Sequence, residues 1–488
     1  MKSTFYILSC LLVLSGTLTS CQKWLDITPS DQFSSDDLYT EPEGFLKALN
    51  GIYLEMTDRS SYGEYLSVGA VDVLAHYYHI NPLSHNHRYK TVSTYAYEDA
   101  STQAIFSGVW SKNYALIANA NVLLEKLPAQ PNNLLPEPHY RIVKGEALGL
   151  RAFLHFDMLR LFGPLWNAEN VTAPTLPYAL DSESEVHPLV SAENFIQHVI
   201  EDLEAALLLM ENDPVRTDGV RNGESASGDN SLQFRQYRFN YFAIKTLLTR
   251  VYLWKKEEAK AYALSQELLA EIDANNTFPF VTREAATATS GRDRMFSTEV
   301  IFSLYDMKRG TLFNNLFSST LTSTSKLSFN LDNTNMNRVN ELYDDENDYR
   351  RAIWQLRTDN SVTSLTNIKY EFASTSPDRF MMPLMRLSEL YLIAAETAPD
   401  FDEALEYLNT LRTHRNCVNL NPASREELLR YIGREYQKEF IGEGQTFFYY
   451  KRIQAATVPR ADQLTGTMPM FTDDYVVPLP ENEVSIRQ

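Results

Sequence analysis

Four of the chain's nine histidines fall within one stretch, Val71 to Lys90 (VDVLAHYYHINPLSHNHRYK), beside three tyrosines. His76 and His79 stand at His-x2-His spacing, and His85 and His87 at His-x-His spacing; both are feasible for metal ligation. No cysteine is near, no HExxH accompanies them, and Pro82 makes a loop rather than a preformed helical face. The reading therefore predicts no metal here. A second chemistry is sugar recognition. Tyr77, Tyr78 and Tyr89 offer flat rings for the apolar faces of pyranoses, while His79, Asn81 and His85 can bond hydroxyls. A third reading is a tyrosine-rich packed loop.

Two further groupings invite the same weighing. Gly310 to Asn330 (GTLFNNLFSSTLTSTSKLSFN) mixes Asn, Ser and Thr with spaced Phe, which suits hydroxyl bonding beside an apolar platform. Asn314 and Asn315 make it a second candidate ligand loop, though a β-hairpin exposing polar residues would read the same way. Glu435, Glu439 and Glu443 recur at helical spacing, and paired carboxylates are the tools of glycoside hydrolysis. Arg434 and Lys438 are interleaved with them, which points to a solvated or ion-paired helix face and no catalysis. No GxGxxG, GxxxxGK[ST] or Gly-x-Ser-x-Gly element occurs, so neither a nucleotide cofactor nor a serine nucleophile is expected.

The elements that must position these residues are mostly helices, and they come in pairs. Trp110, Tyr114, Ile117, Asn121 and Leu124 share one face; Val143, Ala147, Leu150, Leu154, Met158 and Leu161 share another, stopped by Phe162-Gly-Pro164. Ser191 to Met210 opens with Ser191 and Asn194 as possible caps. Phe239 to Trp254 is answered by Ala261 to Ile272, together spanning 34 residues, the length of a tetratricopeptide repeat. A second pair runs from Leu387 to Leu411, with Asp400 and Glu403 as a capping box. A closing helix covers roughly Arg425 to Ile441. The fold class predicted is mainly α, with tetratricopeptide-like helical hairpins as a scaffold and a loop-rich second region containing short strands. EVIFSLYD, Glu299 to Asp306, reads as one of those strands, as do parts of Thr320 to Leu331.

A net charge of −19 argues against nucleic acid. The start of the chain has Lys2, the apolar run Phe5 to Leu14, and then Leu18-Thr-Ser-Cys21. That is an export signal too short to span a bilayer, ending in a pattern that resembles a bacterial lipobox. Cys21 is then the acylated residue, and the lipid anchor is the only membrane attachment expected. With Cys10 removed in the signal, Cys417 remains without a disulfide partner.

Several stretches in order resemble the SusD/RagB family of outer-membrane nutrient-binding lipoproteins of Bacteroidetes: CQKWLDITPSDQ, YALIANANVLLEKL, GEALGLRAFLHFDMLRLFGPL, MRLSELYLIAAE with ALEYLNTLRTHR, REYQKEFIGEGQTFFYYKR and YVVPLPENEV. Thr446 and Tyr449 stand where that family usually has Arg and Asp. The resemblance implies a lipoprotein signal at 1–20, an N-terminal region with helical repeats at 21–300 and a C-terminal region at 301–488. It also implies a binding protein without catalysis, facing the cell exterior over a SusC-like TonB-dependent transporter and capturing oligosaccharide or another nutrient. Since ligand aromatics in that family often lie early in the chain, it favours the Tyr77–Tyr89 stretch as the sugar site. The competing expectations are a glycan-active helical-repeat enzyme and a repeat scaffold that binds only protein.

Overall fold

The computed structural model describes residues 38–80, 87–183, 185–322, 324–329, 335–359, 361–376 and 378–487. Cys21, the segment Gln22 to Gln32, Asn81 and His85 lie outside the described residues.

Labelling helices of eight residues or more, α1 is Pro42–Met56, α2 Ala100–Lys126, α3 His139–Phe162 and α4 Ala192–Leu209. Then come α5 Tyr241–Trp254, α6 Glu258–Asn275, α7 Arg309–Leu316, α8 Leu387–Thr397, α9 Phe401–His414, α10 Arg425–Glu439 and α11 Gln445–Ile453. Side-chain caps start many of them: Asp99 accepts from the Ser101 amide, Ser191 from Asn194, Asn240 from Ala243, Asp400 from Glu403 and Ser424 from Glu427. Each satisfies a donor that the first helical turn leaves free. The helices pack as neighbouring pairs: α2 on α3, α3 on α4, α5 on α6, α6 on α8 and α8 on α9. This is the stacked-hairpin scaffold expected of the periodic stripes.

Helix α3 lies at the centre. Every residue from Gly145 to Phe162 is buried, so its polar side chains need internal partners. Arg151 forms a fork with Asp202, Asp157 meets the Tyr62 hydroxyl at 2.9 Å, and Glu146 meets Arg235 at 2.7 Å. Gly149 is required by close approach, because a Cβ there would sit 2.5 Å from the Phe239 ring.

The strands are short: β1 Pro174–Pro177 pairs with β2 Leu189–Ser191, β3 Val300–Tyr305 with β6 Met381–Arg386, and β4 Trp354–Asp359 with β5 Val362–Asn367, all antiparallel. Strand β3 matches the strand expected at Glu299 to Asp306, and the β4–β5 hairpin falls in the region expected to be loop-rich with short strands. Gly310 to Asn330 differs from its expectation: it opens as helix α7, and its described strand-like contact is a single bridge from Ser328 to His79. Leu312, Phe313 and Leu316 turn inward there, a helical stripe that the surrounding Ser and Thr obscured. One core cluster joins residues from both sides of position 300, from Phe45 to Val477.

Candidate functional site

The described residues of the Val71–Lys90 stretch form a joint within the molecule. Tyr77, Tyr78 and Tyr89 are 4%, 1% and 0% exposed. The Tyr77 hydroxyl donates to the Gln437 carbonyl (2.7 Å) and lies 2.5 Å from Thr446 Oγ1; the Tyr89 hydroxyl donates to Glu64 (2.5 Å). Asp72, at the head of this stretch, accepts from the amides of Gly442 (2.6 Å) and Gly444 (3.0 Å). Tyr77 and Asp72 thus fasten the early chain to the closing helices, Tyr89 bonds within the early chain, and none of the three buried rings has a face open to a ligand. The packed-loop reading describes them, which corrects the stacking role expected. His79 is buried too, its amide donating to Ser328. Burial pushes the His76 and His87 imidazoles down to about 4, so both are neutral. Among the described residues no three potential metal ligands come together.

Glu435, Glu439 and Glu443 are buried rather than solvated. Glu439 meets Arg415 at 2.6 Å, Arg386 at 2.7 Å and Arg350 at 2.9 Å; Glu435 meets Arg412 and Lys438 at 2.6 Å; Glu443 meets Lys369 at 2.6 Å. Burial alone would raise the Glu435 and Glu439 carboxyls. The surrounding cations outweigh it, holding Glu435 down to about 2 and Glu439 well below its usual range. A carboxyl held so far down is a poor general acid at neutral pH.

The open surface with ligand-binding character lies elsewhere. Tyr237, Tyr305, Phe380 and Phe372 form a continuous aromatic arc. Tyr237 and Tyr305 meet edge to face (centroids 5.4 Å apart), Tyr305 and Phe380 at 4.9 Å, and Phe380 and Phe372 at 5.8 Å. Tyr305 is 50% and Phe372 47% exposed. Tyr237, Tyr305 and Phe380 line a concavity of about 1010 Å³ whose rim carries Thr217, Asn222, Asn276, Ser297 and Thr375. A second arm of about 480 Å³ continues past Tyr237 and Tyr305 to Asn50 and Ser231. Such sizes suit an oligomeric small ligand.

Rigid elements hold the arc. Tyr305 ends strand β3, opposite Met381 of β6, and the Asp306 amide donates to the Phe380 carbonyl (2.8 Å). Tyr237 ends a single 3-10 turn, Arg235–Tyr237. That turn is pinned by fully buried Arg235, which bridges Asp213 and Glu146, both at 2.7 Å. It is pinned again by Gln236, whose amide donates to the Ser297 and Val300 carbonyls at 2.8 Å. The Phe372–Phe380 loop is tied down by buried Arg309, which donates to the Met381 carbonyl (3.0 Å) and pairs with Asp378. Burial pushes the Tyr237 hydroxyl up to about 12, keeping it a neutral donor. Asn314 and Asn315 are exposed on α7. The first turn of that helix abuts the arc, since a Cβ on Gly310 would lie 3.2 Å from the Phe372 Cβ.

The arc escaped the sequence reading because its members come from three distant segments. Its available signal was Tyr305, exposed at the end of an otherwise buried strand, with aromatics bracketing the Ser/Thr-rich Tyr370–Phe380 segment.

A helical-repeat scaffold with a pinned, solvent-open aromatic concavity defines a class of ligand-binding body. Two family descriptions cover most of this one: residues 23–253 match "Starch-binding associating with outer membrane", and residues 282–485 match "SusD family". The chain belongs to the SusD/RagB family. A curated SusD-like protein of Formosa agariphila is 24% identical over 279 residues, 56% of this chain and 46% of that protein, so the match spans under half of the relative's length. Among solved structures, a SusD-like carbohydrate binding protein of Bacteroides vulgatus superposes with a TM-score of 0.69 at 19% identity, covering 91% of this chain and 96% of its own. A SusD superfamily protein of Bacteroides thetaiotaomicron gives 0.69 at 21% identity, covering 91% and 98%. The two departures in the closing motif have local partners: Thr446 meets Tyr77, and Tyr449 stacks on Tyr436 at 4.4 Å. No helix among the described residues is long and apolar enough to cross a membrane.

Proposed function

We propose that this protein is an outer-membrane lipoprotein, anchored through Cys21 and facing the exterior, that binds oligosaccharide and delivers it to a SusC-like TonB-dependent transporter. The observation that carries the reading is the Tyr237–Tyr305–Phe380–Phe372 arc. Half-exposed rings offer apolar faces to sugar C–H groups, and the hydroxyl and amide side chains around them match sugar hydroxyls. Asn314 and Asn315, exposed on α7, remain a second candidate for bonding hydroxyls. The related carbohydrate-binding and starch-binding descriptions support the same ligand class. The role is binding rather than catalysis, because the conspicuous carboxylates are consumed in buried ion pairs.

The test is titration of the purified mature chain against a panel of oligosaccharides, with a Tyr305→Ala/Phe372→Ala double variant alongside. Each ring contributes on the order of 1 kcal/mol to stacking, so affinity should fall about thirtyfold while the melting temperature stays put. An unaltered affinity would remove the arc from the binding site. Capture of a transporter with the native protein from detergent-solubilised membranes tests the partner; a protein recovered alone under gentle conditions would count against it.

A further inference from the structure

The cations around the concavity differ in how they are neutralised. Arg221 pairs with Asp218, and Arg238 with Glu146 at 2.9 Å. Arg379, also on the wall, is different. Its guanidinium lies over the Phe380 ring, 5.2 Å from the centroid, and Nη1 donates to the Ser374 carbonyl at 3.0 Å. Among the described residues it has no carboxylate partner, and it is exposed. Its neighbour Asp378 is already taken by Arg309 and the Ser376 hydroxyl. The remaining acid on the walls, Asp229, sits in the second arm, accepting from the Ser231 amide and facing His139.

We infer that the arc takes an acidic oligosaccharide, with Arg379 binding a sugar-borne oxyanion (a uronate carboxylate or a sulfate ester) as the adjacent rings stack on the pyranose. The inference rests on the binding reading above and adds the charge of the ligand. Two physical points support it. A guanidinium presents a planar fork matched to oxyanions, and most of the Arg379 donors are uncommitted. Stacking on Phe380 fixes the plane of that fork at the edge of the platform. The chain as a whole carries −19, so an anionic ligand gains nothing from the general field. At physiological salt that field decays over roughly 8 Å, which leaves recognition to a local unpaired cation.

The experiment is calorimetric titration of the mature chain with matched-length neutral (malto- and cello-), polyuronate (oligogalacturonate) and sulfated galactan oligosaccharides, at low and high NaCl. Parent, Arg379→Gln and Tyr305→Ala proteins are compared. The expected result is about tenfold tighter binding of one acidic series, the scale of a charge-assisted pair partly open to water. That preference should vanish in Arg379→Gln with the melting temperature retained, and it should weaken with salt. Whichever acidic series is preferred names the source of the oxyanion. Neutral ligands binding as well as acidic ones, with Arg379→Gln silent and Tyr305→Ala impaired, would overturn the inference and leave the platform standing. Binding that Tyr305→Ala does not affect, or no binding by any series, would overturn both.

Discussion

Substituting Glu439 by Gln should destabilise the protein by several kcal/mol although it changes only one functional group. Glu439 sits in a connected cluster whose acids are Glu299, Asp344, Asp348, Glu435, Glu439 and Glu443. Its bases are Arg350, Lys369, Arg386, Arg412, Arg415 and Lys438. Six negative charges face six positive ones, so the buried cluster is neutral as a whole. In Glu439→Gln each of the three arginines keeps at least one other carboxylate: Glu299 for Arg415, Glu443 for Arg386, and both Asp348 and Glu435 for Arg350. One uncompensated positive charge nevertheless remains in low dielectric, and breaking a buried pair from one side costs about 3–5 kcal/mol. With an unfolding entropy near 2 cal/mol/K per residue, about 4 kcal/mol lowers the melting temperature of a body this size by roughly 4 °C. Calorimetry and urea titration read the single variant and a Glu439→Gln/Arg386→Gln double variant, which restores neutrality. The double variant should lose less than the sum of its singles. Strict additivity, or a single variant melting within a degree of the parent, would refute the idea that charge balance holds this core.

Three other outcomes follow from the same contacts. The cations depress the Glu435 and Glu439 carboxyls, so their contribution is full above the unfolded carboxyl range near 4.3. It is lost as pH falls from there towards about 2; a urea midpoint unchanged between pH 6 and pH 3 would contradict the pairing. Tyr78→Ala removes a fully buried ring packed on Tyr77 and Phe317 and should cost about 3–5 kcal/mol, visible as a lowered melting temperature, whereas Tyr305→Ala should leave that temperature alone. Cys21→Ala should give an unlipidated, soluble periplasmic protein, and incorporation of labelled fatty acid into that variant would end the lipobox reading.

What was readable from the sequence follows from the range of the interaction that creates each feature. Helices α2 to α6 and α8 to α10 announce themselves because burial of a stripe and capping by Ser191, Asn240 or Asp400 are decided within a few residues. The ion cluster announces only its Glu435/Glu439/Glu443 spacing. That spacing is the same for a wet helix face as for a buried one, and the partners that decide between them, Arg350, Arg386 and Arg415, arrive from three other segments. The tyrosines at 77, 78 and 89 mislead for the converse reason. A ring with a hydroxyl serves a sugar or an interior equally well, and the choice rests on Thr446, Gln437 and Glu64, which local sequence does not place beside them. The Tyr237–Tyr305–Phe380–Phe372 arc is the extreme case, since each ring is ordinary in its own segment and the platform exists only once β3 pairs with β6. In this scaffold the periodic elements therefore specify where loops begin and end, and the buried charges at Arg235 and Arg309 carry that order to the ends of those loops. The walls of the concavity are supported by interior ion pairs, while the residues that would meet a ligand under the proposed reading, Tyr305, Phe372 and Arg379, are largely free of structural duty. Changing them should alter what is bound without altering whether the chain folds.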